Sequence, residues 1–204
     1  DQRHGKGLLR YKNGGAYEGK WAYNKKHGQG TNIFRNGDVY QGQWYRNQKH
    51  GEGTFTSNNG SSYEGTWSYN EQHGFGKFVY SDGRIYIGRC RYNKNHGYGK
   101  MFYTDGSVYK GQWHEDKRDG KGVITTREGA IIDGVWLYGK MISKIDENSL
   151  FKGESTEVFP ELNDRLAIND PEGKLITEFS DQKTQASDNE PSDDKKAKNR
   201  LSDE

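Results

Sequence analysis

The sequence predicts an all-β fold: an elongated, single-layer antiparallel sheet of stacked β-hairpins, followed by an irregular C-terminal extension. Three observations predict it. One block of residues returns every 23 positions without an insertion, each block alternates apolar and polar side chains with a period of two, and each block is punctuated by turn dipeptides.

The first strand of the unit is the Tyr-x-Gly-x-Trp stretch. Tyr17, Tyr40, Tyr63, Tyr86 and Tyr109 stand 23 residues apart, with Gly19, Gly42, Gly65, Gly88, Gly111 and Gly134 two residues later. Two further on come Trp21, Trp44, Trp67, Cys90, Trp113 and Trp136, so all 5 tryptophans share one slot. Tyr17, Gly19, Trp21 and Tyr23 alternate with Glu18, Lys20 and Ala22, which places the rings on one face of a strand. The next element is a polar turn, read as "NKKH", "NQKH", "NEQH", "NKNH" or "DKRD". A second alternating strand follows, Gly28 to Phe34 in the first full unit. "NG", "DG" or "EG" then supplies the positive φ of a tight turn into the next unit.

The glycines fit the same scheme. Gly19 shares a face with Tyr17 and Trp21, and the missing side chain leaves room for a ring over the backbone; Gly28 and Gly30 are expected to do the same on the opposing strand. One hairpin is marginal in water. Hairpins side by side set ring over ring, with cross-strand contacts worth roughly 0.2–1 kcal/mol each. Each hairpin advances the sheet about 10 Å, so six units span on the order of 60 Å.

Composition agrees with a thin layer. Hydrophobic residues make up 29% of the 204, too few for a thick core, while 13% aromatics and 14 Tyr are too many for a disordered chain. A single Cys excludes an internal disulfide. No signal peptide and no apolar run of about 20 residues is present, so a soluble, intracellular protein is expected. Net charge is +2, but residues 1–142 hold 22 Lys+Arg against 13 Asp+Glu, and residues 143–204 hold 9 against 16. A basic array with an acidic tail admits an anionic partner, the tail folding back, or merely a solvated surface.

The pattern of Tyr-x-Gly-x-Trp, a polar turn, His-Gly-x-Gly and a later Gly resembles the MORN repeat family over residues 1 to about 138. The resemblance implies hairpins stacked into a trough-like sheet, and it implies no activity of its own. It implies an adaptor that holds a helix or an extended segment along its aromatic face, with another MORN protein among the partners implied, of the kind common in ciliary and flagellar assemblies such as radial spoke heads. Some such arrays are fused to enzymes, so a regulatory region of a larger enzyme is an alternative. The segment "FPELNDRLAINDPEGKLITEF" is similar to the one closing a small ciliary member of the family.

No catalytic, cofactor-binding or metal-binding residue is named by the sequence. His4, His27, His50, His73 and His96 share one slot, but equivalent residues of consecutive hairpins lie about 10 Å apart, and zinc needs nitrogens at about 2.0–2.1 Å. These histidines are expected to anchor the turns by hydrogen bonding. No phosphate loop, nucleophile elbow or unique His/Asp constellation appears, and no nucleic-acid module. Lys25, Lys26, Lys49, Lys94, Lys117 and Arg118 along one edge make anionic phospholipid a possible partner, although Glu71, Glu115, Asp116 and Asp119 interrupt them.

The partner-binding row is expected to be Tyr17, Trp21, Tyr40, Trp44, Tyr63, Trp67, Tyr86, Tyr109 and Trp113, serving as core and contact surface together, since aromatic anchors dominate interfaces. Cys90 breaks that row, by drift or as a notch for a partner's side chain. The sixth unit, with Ile132 for Tyr and "LYGKMISKI" after Trp136, reads as a terminal cap; "DQRHGKG" at the start is half a unit, and more chain is expected before it. The domain reading is an array over 1–142, an extension over 143–180 packing on the array or a partner, and a disordered charged tail over 181–204. The expected protein is a non-catalytic scaffold at the cytoskeleton, in the axoneme of a cilium or flagellum.

Overall fold

A computed structural model of the chain describes residues 2–145, so most of the expected 143–180 extension and all of the 181–204 tail lie outside the described residues. The described residues form one antiparallel sheet of 13 strands in sequence order and contain no helix. The strands are β1 (Gly5–Arg10), β2 (Ala16–Ala22), β3 (Lys25–Ile33), β4 (Val39–Tyr45), β5 (Gln48–Thr56), β6 (Ser62–Ser68) and β7 (Glu71–Val79). They continue with β8 (Ile85–Arg91), β9 (Lys94–Phe102), β10 (Val108–His114), β11 (Lys117–Thr125), β12 (Ile131–Leu137) and β13 (Lys140–Lys144). Every strand pairs only with its sequence neighbours, as stacking of local hairpins requires.

The turn inside each hairpin is shorter than the four-residue segments read from the sequence. Tyr23–Asn24, Arg46–Asn47, Tyr69–Asn70, Tyr92–Asn93 and Glu115–Asp116 each have positive φ at both positions, the type I′ geometry that matches strand twist. Asparagine and aspartate tolerate that region; tyrosine and arginine are strained there. Strand pairing therefore resumes at Lys25, and His27 lies within β3. The expectation that Tyr23 faces the ring row fails for the same reason: it sits at the turn, 72% exposed.

Asparagine, rather than histidine, anchors these turns. Asn47 donates its backbone N–H to the carbonyl of Lys26 at 3.0 Å, and its Oδ1 accepts the backbone N–H of Lys26 at 2.8 Å. Asn24, Asn70, Asn93 and Asp116 make the same reciprocal clasp to Arg3, Lys49, Gln72 and Asn95. Each clasp ties one hairpin to the one before it, where the regular ladder has ended. Asn47→Gly keeps the positive φ but removes the acceptor, and is expected to cost about 1 kcal/mol, read as a lower urea midpoint.

The second turn, between hairpins, follows its dipeptide as expected. Gly37 has φ +88°, and its N–H reaches the carbonyl of Phe34 at 3.0 Å while Phe34 donates to Asp38 at 2.8 Å. This is a type I turn closed by a left-handed glycine.

The central glycines divide into two kinds. Gly42 and Gly53 face each other across β4 and β5, and the Tyr40 ring lies over them: a Cβ on Gly53 would stand 2.4 Å from the Tyr40 hydroxyl oxygen. Gly51 serves otherwise. The register places His50, Gly51 and Glu52 opposite Gln43 alone, and Gly51 takes φ +63° in that bulge with its open side toward Gln43. The same split corrects the expectation for Gly28 and Gly30: Gly30 lies under Tyr17, whereas Gly28 has φ +60° and faces the methylenes of Lys20.

Candidate functional site

The ring face is the site the sequence points to, and its construction is regular. Tyr17, Tyr40, Tyr63, Tyr86 and Tyr109 are 0% exposed, and Trp21, Trp44, Trp67 and Trp113 only 4–7%. Each tyrosine hydroxyl donates to a carbonyl three residues on, Tyr40 to Gln43 at 2.9 Å. Each of these indoles donates backward to the preceding hairpin, Trp44 to Gly30 at 3.0 Å and Trp67 to Gly53 at 2.9 Å. Edge-to-face contacts then run along the sheet. Tyr40 meets Trp44 at 5.0 Å and Trp67 at 5.3 Å, with ring planes 88° and 85° apart. Such pairs contribute roughly 0.5–1.5 kcal/mol each beyond burial.

The structure brings all nine expected row residues together, with one break. At Cys90 there is no ring to bridge Tyr63 and Tyr86. The row is core, as expected, and its five tyrosines have no exposed surface. A second layer of partly buried residues packs against it: Leu9, Tyr11, Phe34, Phe55, Phe78, Tyr80, Tyr103 and Ile124.

Cations expected at the turn edge complete the face. The residue opposite each Trp slot is Lys26, Lys49, Gln72, Asn95, Arg118 and Met141 in turn. Lys49 Nζ lies 4.0 Å from the Trp67 ring centre, Lys26 Nζ 4.6 Å from Trp44, and the Arg3 guanidinium 4.4 Å from Trp21. The rings' negative faces hold these charges. The sequence places Lys26 and Lys49 on the turn edge, toward an anionic partner; the two-residue turn at Tyr23–Asn24 instead puts Lys26 on the ring face.

Burial sets an acid–base signature. It pushes the Lys26 and Lys49 ammonium groups down to about 8 and the Tyr17 phenol up to about 12, and it raises the other four row tyrosines too. The unfolded chain keeps its lysine protons to about 10.5 and the fold gives them up earlier, so stability rises as pH climbs from about 8 toward that value. The unfolded phenols ionise near 10 and the folded ones resist, so stability falls above pH 10. Burial also lowers His96, with His114 and Arg91 adding to the effect, and stability falls as pH drops through about 6.5. Urea midpoints measured against pH are expected to peak between about 8 and 10.

Elsewhere the histidines meet rings. His27 and His50 flank Tyr45 at 5.5 and 5.8 Å, His50 lies 5.2 Å from Tyr69, and His96 lies 5.2 Å from His114. His50 Nδ1 is buried and has no hydrogen-bond partner among the described residues. Tyr23, Tyr69, Tyr92 and Tyr138, 57–72% exposed, project from the hairpin turns. The Cys90 thiol is 4% exposed, and burial pushes it up to about 12.

The MORN repeat profile matches residues 1–16, 17–39, 40–62, 63–83, 86–108 and 109–130. The chain belongs to the MORN repeat family. MORN repeats are non-enzymatic repeats that bind proteins or lipids, and the ring ladder described above is how this member builds its units. No curated protein matches the chain. Among solved structures, the Drosophila melanogaster SAS-4 (dCPAP) TCP domain, in complex with a proline-rich motif of Ana2 (dSTIL), is similar at 14% identity over 70% of this chain and 85% of that one, TM-score 0.37. The wild-type TCP10 domain of Danio rerio CPAP, in complex with a STIL peptide, is similar at 16% identity over 72% and 98%, TM-score 0.18.

Proposed function

We propose that this MORN array is a non-catalytic scaffold that holds a helix or an extended segment of a protein partner along its ring face. The observation that carries this reading is the face itself: a second layer of half-buried rings and aliphatic side chains, lined by cations set over indoles, on a sheet whose neighbouring hairpins brace one another. Rigid aromatic surface of this kind binds with little loss of side-chain freedom. The setting proposed is an axonemal complex of a cilium or flagellum, such as a radial spoke. Its support is the family's common use in such assemblies and the resemblance of the 159–179 segment.

A second reading, attachment to anionic phospholipid, is favoured by the turn edge, where exposed Tyr23, Tyr92 and Tyr138 stand beside Lys25, Lys94 and Lys140. One comparison separates the two. The tagged chain purified from ciliated cells is expected to retain axonemal proteins in constant ratio through a salt wash. Recovery on vesicles instead, fading as salt rises, would replace the scaffold reading with the lipid one.

A further inference from the structure

Three departures from the repeat meet in one place. Cys90 stands in the Trp slot, and Gln72 and Asn95 stand where three other units carry the long cations Lys26, Lys49 and Arg118. Asn95 is 5% exposed and turned aside, its Nδ2 donating to the Tyr80 hydroxyl at 3.0 Å. Where Lys26 and Lys49 lie over Trp44 and Trp67, the shorter Gln72 and Asn95 line an opening in the face.

The opening is a groove of about 510 Å³, the size range of small-ligand sites. Its walls are Phe78, Tyr80, Tyr103 and Trp113, with Met101 below. Arg84, Lys117 and Arg118 border it against one carboxylate, Asp116. Asp116 Oδ1 already accepts the Asn95 N–H at 2.8 Å, and Arg84 is paired with Asp82 at 2.8 Å. Lys117 and Arg118 lie near the rings of Tyr138 and Tyr109, at 5.9 and 5.4 Å, and neither is in an ion pair among the described residues. The array around the groove carries 22 Lys+Arg against 13 Asp+Glu.

We infer that this groove anchors the partner segment: it takes one aromatic or branched apolar side chain, flanked in the partner by carboxylates that meet Lys117 and Arg118. Ring walls select the apolar anchor, and the unmatched cations select an acidic flank over a neutral or basic one. The inference rests on the protein-scaffold reading and narrows it to one subsite and one chemical class.

The test uses the full chain and three fluorescein-labelled heptapeptides: Glu-Asp-Glu-Phe-Glu-Asp-Glu, the same with Ala for Phe, and the Phe peptide with Lys at every acidic position. Anisotropy titrations are expected to rank the acidic Phe peptide about tenfold tighter than its Ala form, with no binding of the Lys form. Asn95→Lys and Gln72→Lys restore the long cation that other units use, so both are expected to fold. Each adds positive charge yet closes the groove, and the preference for Phe over Ala is expected to disappear.

Equal binding of the Phe and Ala peptides, or a preference that survives in both variants, overturns the inference. So does displacement of the Phe peptide by phosphatidylcholine–phosphatidylserine vesicles at matched charge, which would assign the groove to headgroups. If the peptides fail while the chain still retains axonemal proteins through a salt wash, the groove assignment fails alone. If that retention is lost as well, the scaffold reading fails with it.

Discussion

Gly53→Ala is expected to unfold the middle of the array. The added Cβ would stand 2.4, 2.6 and 2.8 Å from Oη, Cζ and Cε2 of Tyr40, a ring with 0% exposure. Tyr40 has nowhere to retreat, because Trp44 and Trp67 press its ring from two sides at 5.0 and 5.3 Å and its hydroxyl is tied to Gln43. Overpacking costs about 1–3 kcal/mol where neighbours can yield; here they cannot, and about 3 kcal/mol or more is expected, a fall in Tm of roughly 6–12 °C. Gly60→Ala is the control. Its φ is +87° but nothing stands within 4 Å of the new Cβ, so only the left-handed penalty of about 1–2 kcal/mol applies. Equal losses at the two positions would refute the ring-over-backbone account.

Trp67→Ala is expected to cost about 3–5 kcal/mol, as deletion of a buried indole does. Trp67 touches Tyr40 and Tyr63, at 5.3 and 5.2 Å, lies 4.0 Å beneath the Lys49 ammonium, and donates to Gly53. Its loss loosens two hairpins at once. The same ladder predicts which pairs of losses interact. Trp44→Ala and Trp67→Ala share Tyr40 and are expected to combine non-additively, whereas Trp67→Ala and Trp113→Ala stand on either side of Cys90 and are expected to add. Urea titration of the single and double variants measures both.

Much of the fold was legible because it is carried by period and parity. Tyrosine, glycine and tryptophan at i, i+2 and i+4 fixed the ring face, and the Asn-Gly or Asp-Gly dipeptides fixed one turn. The other turn departs from its expected place because "NKKH" is polar throughout, and polarity does not say where a strand resumes. The signal was the dipeptide Tyr23–Asn24, which overlaps the start of that segment and where an asparagine comfortable at positive φ closes a two-residue turn. That displacement hid three features: Lys26 and Lys49 lying over indoles, the exposed tyrosines at the turn tips, and the asparagine clasps between hairpins. The row named as a contact surface was legible as a row. Its place in the core was legible too; the completeness of the burial was not, because the depth of a ring depends on what the neighbouring hairpin lays over it.

The central claim is that no hairpin stands alone and that each is held by the rings of the next. Urea unfolding of a nested series, from β6–β7 alone outward by one hairpin at a time, tests it most directly. No transition is expected for the single hairpin, with a midpoint that appears and then climbs as hairpins are added. A cooperative transition in isolated β6–β7, or a midpoint indifferent to the number of hairpins, would contradict it.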